Sequence, residues 1–152
     1  MKLKDILKKI AVCGDLKSTD KKDVLVELAK LSAEAYPNLS SDQVLQVLLE
    51  REKLGSTGVG NGVAIPHGKI PGLNTIIAVF GRSKKGIEFQ SHDQKPALLF
   101  FVLLAPENVV GIHLQALARL SRLLKEESTR NKLFEVKDEN LYDVLIAEDE
   151  KI

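Results

Sequence analysis

Polar and apolar positions alternate with two different periods along this chain, and the changes of period mark its elements. In residues 20–35, DKKDVLVELAKLSAEA, Val24, Leu25, Leu28, Leu31 and Ala35 recur at helical spacing, with Thr19 or Asp20 as cap and Pro37 beyond the end. Residues 41–53, SDQVLQVLLEREK, repeat the pattern: Ser40 or Ser41 caps, Val44, Leu45, Leu48 and Leu49 form the apolar face, and Gly55 ends it. The period then shortens. TIIAVFG, residues 75–81, and ALLFFVLLA, residues 97–105, are β-branched and aromatic runs of strand length bounded by turn residues. The second is apolar on both alternating faces, as a strand covered by helices above and below must be. A hairpin-like GIEFQSHDQKP joins the two, and an extended piece near Ile10 to Leu16 is a further strand candidate. Helical spacing returns in IHLQALARLSRLLKE from Ile112, STRNKLFEV from Ser128 and ENLYDVLIAE from Glu139. Two helices, strands, then helices predict one three-layer α/β domain spanning residues 1–152.

Composition narrows the function. At 152 residues, 44% hydrophobic and 28% charged, the chain has enough apolar surface for a core of its own. Its net charge of +1 offers no field for a polyanion, so neither nucleic acid nor an anionic membrane is an expected partner. The longest apolar run is far shorter than the ~20 residues of a membrane helix. A lone cysteine, Cys13, and an N-terminus broken by charges lead us to expect a reducing, cytoplasmic setting.

Between the second helix and the first strong strand lies GNGVAIPHGKI, residues 60–70. Neither glycine-loop template fits it: in both the dinucleotide fingerprint and the P-loop a required glycine falls on Val63. Pro66 has a fixed φ and forces Ile65 to be extended, so His67 is presented along a nearly predetermined path. Gly60, Gly62 and Gly68 suggest close backbone approach to a ligand, and Ser56, Thr57 and Asn61 are neutral donors in the same segment. Together these suit an anion, and a neutral imidazole is itself a competent nucleophile toward phosphorus. At ~100° per residue, Arg51 continues the inward stripe of Val44, Val47 and Leu48, which makes it the candidate clamp for phosphoryl oxygens. His113 shares a helix face with Leu117, Leu120 and Leu124 in a first turn, so its ring should meet His67 where loops gather. Three histidines with no cysteine beside them and no H-x-x-x-H spacing argue against zinc. His92 reads as a solvated turn residue, and the Arg119/Arg122 pair as a solvated helix face.

The stretch REKLGSTGVGNGVAIPHGKI, residues 51–70, together with DQKPALLF at Asp93–Phe100 and the histidine-led helix at His113, resembles the enzyme IIA proteins of the bacterial phosphotransferase system, mannitol/fructose class. Within that class it is most similar to the nitrogen-regulatory type. The resemblance implies a mixed, mostly parallel sheet between helix layers and a shallow apolar partner surface around the histidine. It implies a phosphocarrier needing no cofactor: His67 accepts a phosphoryl group on Nε2 from a phosphorylated HPr- or NPr-type carrier, with Arg51 and His113 beside it. A IIB protein, or a regulatory target such as a transporter or kinase, would read the result. Two alternatives stay open: a stand-alone fructose/mannitol-type IIA serving sugar uptake, and a binding module that carries no phosphate.

Overall fold

A computed structural model describes residues 1–152, with the side chains of residues 110 and 112 outside the description. Six strands, β1 (Leu7–Cys13), β2 (Gly58–Gly60), β3 (Val63–Ala64), β4 (His67–Ile70), β5 (Ile77–Ile87) and β6 (Ala97–Pro106), form one sheet. Its order is β1-β5-β6-β3-β2, with β4 also pairing β6. The β1–β5, β3–β6 and β4–β6 pairs are parallel, while β5–β6 and β2–β3 are antiparallel. The expected mixed, mostly parallel sheet is present.

Helices α1 (Lys21–Ala35) and α2 (Ser41–Lys53) pack against each other, α1 also against β1 and β5 and α2 against β4. Helices α3 (Val110–Lys125), α4 (Glu127–Glu135) and α5 (Leu141–Glu150) form a second group that meets the sheet through β6 and β1. Between the two groups β6 is buried on both alternating faces, with only Leu98 partly exposed, so the doubly apolar run at 97–105 is the centre of the core. Caps start the first two helices: the Asp20 carboxylate accepts the Asp23 N–H at 2.8 Å and Ser40 Oγ accepts the Gln43 N–H at 3.3 Å.

Three readings of the sequence need correction. The early strand runs Leu7–Cys13, because the apolar signal of IAVCGDL belongs partly to the turn that follows, where Leu16 tucks against Gly81. The first strong strand continues past Gly81 to Ile87, since Arg82 and Ser83, polar by type, are both buried. Arg119 is no solvated residue: its guanidinium grips Asp149 at 2.7 and 3.0 Å, and the same carboxylate takes the Leu3 N–H at 2.8 Å. That cluster ties α3 to α5 and to the N-terminus, a long-range pairing that helical periodicity does not report. Arg122 and His92 are exposed, as expected.

Candidate active site

Pro66 interrupts the edge that faces β6. Before it, β3 pairs with Leu99 and Phe100; after it, β4 pairs His67 with Leu103 and continues to Pro106. His67 thereby opens a strand near the end of β6, just before the chain turns into α3. Its half-buried ring has Nδ1 2.8 Å from the Ile65 carbonyl oxygen. A carbonyl only accepts, so Nδ1 carries the proton and Nε2 keeps its lone pair. Burial, the largest influence, holds this ring below the usual imidazole range; the Ile65 bond opposes that and the Arg51 charge adds to it. The result at neutral pH is an uncharged imidazole with a defined nucleophilic atom.

Arg51 reaches that atom. Val47, one turn earlier in α2, lies so close over β4 that a Cβ on Gly68 would fall 2.2 Å from its Cγ1. The contact brings the C-terminal end of α2 onto His67: Arg51 Nε–H points at His67 Nε2 at 3.3 Å, and its Nη1 donates to the Gly55 carbonyl at 2.9 Å. Gly55, at φ +143°, turns the chain so that this carbonyl faces back toward the helix.

His113 completes the pair. The His67 and His113 ring centroids are 5.3 Å apart at an interplanar angle of 63°, an edge-to-face arrangement. Burial first, then His67 and Lys69, push His113 below the usual range as well. Its Nδ1 is buried without a hydrogen-bond partner among the described residues, so a proton there would be left unpaired, which favours the tautomer that carries it on Nε2. Helix α3 starts with no side-chain cap found among the described residues and no acid in its first turn, so its positive end adds to a site suited to an anion. Exposed Leu54, three residues after Arg51, and Leu114, next to His113, give the surroundings apolar surface.

The remaining candidates sit differently. Val63 is level with Leu99 and His67 with Leu103, so Asn61 and Gly62, which precede Val63, lie about 13 Å or more from the imidazole along β6. Asn61 turns the β2–β3 hairpin at φ +57° and its N–H goes to Asp93. Gly68 is close to His67, but its missing side chain makes room for Val47. Ser56 donates its hydroxyl to the Phe89 carbonyl, and Thr57 gives both its N–H and its hydroxyl to Glu52. The structure therefore gathers His67, Arg51 and His113, and holds Ser56 and Thr57 nearby with their donors engaged. Glu52 escaped the sequence reading because a helix wheel turns it away from Arg51; its partner is a loop residue that only the fold supplies.

Residues 5–148 match the family described as phosphoenolpyruvate-dependent sugar phosphotransferase system, EIIA 2. A nitrogen regulatory protein of Bradyrhizobium diazoefficiens is 44% identical over 95% of this chain and 95% of its own length. The crystal structure of nitrogen regulatory protein IIA-Ntr from Neisseria meningitidis superposes with a TM-score of 0.85, at 37% identity over 93% of this chain and 97% of that one. Enzyme IIA of mannitol from Escherichia coli, in its complex with phosphorylated enzyme IIB, shares the fold at a TM-score of 0.74 and 20% identity, over 93% of this chain and 99% of that one. With its imidazole pair and guanidinium set on this sheet, the chain belongs to the EIIA 2 family of the phosphoenolpyruvate-dependent sugar phosphotransferase system.

Proposed function

We propose that the protein is a phosphocarrier of the nitrogen-regulatory IIA type, and that His67 Nε2 takes a phosphoryl group from a phosphohistidine on an HPr- or NPr-type carrier. The observation that carries this reading is the division of labour on one ring: Nδ1–H bound by the Ile65 carbonyl, and Nε2 directed at Arg51. In the transfer, the Nε2–P bond forms as the donor's P–N bond breaks, and the electron pair of that bond returns to the donor ring. The Nδ1 proton stays on His67, shared with Ile65. The Arg51 guanidinium, which points at the lone pair before reaction, moves onto the phosphoryl oxygens as they approach, and His113 Nε2–H supplies a neutral donor beside it. Exposed Leu54 and Leu114 give a carrier, or a IIB-like acceptor, an apolar surface to dock on.

The regulatory reading rests on the 44% identity to the Bradyrhizobium protein and on the Neisseria structure, both described as nitrogen regulatory. We read residues 1–152 as one IIA unit working in the cytoplasm, where carrier and target proteins meet it. No helix among the described residues is long and apolar enough to cross a membrane.

Incubation with a phosphorylated carrier tests the chemistry. Wild type is expected to take up label, His67→Ala none, and Arg51→Ala to be slowed about 10²-fold while keeping its fold. Label persisting in His67→Ala would remove the proposal.

A further inference from the structure

Glu52, next to Arg51 in the last turn of α2, is a buried acid in an unfavourable place. Only 6% of its side chain is exposed, and it adds negative charge where the helix dipole is already negative. An apolar residue would fill the same space at lower cost. What the carboxylate achieves instead is a set of three contacts: Oε1 takes the Thr57 N–H at 3.1 Å and pairs with Lys21 Nζ at 3.0 Å, and Oε2 takes the Thr57 hydroxyl. Lys21 is held in turn by the Gln90 amide oxygen at 3.1 Å and by the face of Phe89, 4.6 Å from the ring centroid.

Thr57 is the link to the imidazole. Its carbonyl accepts the Ile65 N–H at 2.9 Å, and the carbonyl of Ile65 is the acceptor for His67 Nδ1 at 2.8 Å. Lys21, Glu52, Thr57, Ile65 and His67 thus form one unbroken series of contacts, ending at the bond that decides which ring nitrogen has the proton. A histidine without such an acceptor divides its proton between the two nitrogens, and the Nε2–H form has no lone pair with which to attack. We infer that Glu52 is a positioning residue for His67: through Thr57 and Ile65 it holds the imidazole in its Nδ1–H tautomer and so keeps Nε2 nucleophilic. This rests on the phosphocarrier reading for its purpose, but not for its geometry.

Glu52→Gln is the direct test, since it keeps the shape while removing the charge and one acceptor. The ¹⁵N shifts of the His67 ring should move from the Nδ1–H pattern toward a mixed one, and the labelling rate from phosphorylated carrier should fall about tenfold, the lower end of the loss found when the outer partner of a metal-binding histidine is removed. Thr57→Val, which deletes only the hydroxyl arm, should shift both readouts in the same direction and serves if Glu52→Gln does not fold. An unchanged tautomer in the folded variant overturns the inference, with or without a loss of rate. If wild type itself takes no label, the phosphocarrier reading fails while the tautomer comparison still decides the role of Glu52.

Discussion

His67 and His113 are the residues on which pH acts most directly. Both rings are held below the usual imidazole range, chiefly by burial, so the folded protein keeps them neutral where an unfolded chain has begun to protonate them. From about pH 6.5 downward the unfolded state then binds more protons than the folded one, and stability must fall as pH falls. We expect the thermal midpoint to decline from pH 7 toward lower pH, and the double variant His67→Ala/His113→Ala to lose part of that decline. A wild-type slope in the double variant would mean that other groups cause it. At this scale the sequence was informative: the proline before His67, the glycine after it and the inward helical phase of Arg51 pointed to side chains that the fold brings together with His113. The hydrogen bonds already made by Ser56 and Thr57 were not visible, because their acceptors, Phe89 and Glu52, are brought to them by folding.

Among the elements, the contact of α2 with β4 decides whether the site exists. Glycine at position 68 has ordinary strand geometry, so alanine fits its backbone; the obstacle is Val47, which the new methyl would strike at 2.2 Å. Gly68→Ala should push α2 outward, cost about 1–3 kcal/mol in denaturant unfolding, and slow labelling by drawing Arg51 away from His67. Val47→Ala in the same chain should restore both, and a double variant no better than Gly68→Ala would sink this explanation. Periodicity located all five helices and the central strand β6 to within a few residues, but ended β5 at Gly81 where it runs on to Ile87. It passed over β2, β3 and β4, which are two to four residues long and too short for any period to show. β3 and β4 are strands because β6 offers them an edge, and β2 because β3 does, not because of their own sequence.

For the molecule as a whole, Arg82 joins the sheet to the C-terminal helices. Its side chain, 1% exposed on β5, donates to the Gly14 carbonyl at 3.0 Å, to the carbonyls of Leu133 and Val136 at the end of α4 at 2.9 and 2.5 Å, and to Asp138 at 2.5 Å. It thus satisfies carbonyls that a helix end otherwise leaves unpaired. Arg82→Met should fill the volume but orphan these acceptors, lowering unfolding free energy by about 3 kcal/mol while the remaining folded protein is labelled at the normal rate. A variant as stable as wild type would show that water replaces the guanidinium without loss.

What this sequence determined alone was everything that depends on neighbours a few residues apart: helix faces and caps, the doubly apolar central strand, and the rigid presentation of one histidine by its proline. Tertiary structure decided what depends on partners brought from afar, namely the contact between Arg51 and Nε2, the meeting of His67 with His113, the Lys21–Glu52 pair, the burial of Arg82 and the grip of Arg119 on Asp149. The physical reason is that side-chain direction repeats with the backbone period and can be counted along the chain, whereas a hydrogen bond needs a donor and an acceptor within about 3 Å, and only the packed sheet sets that distance.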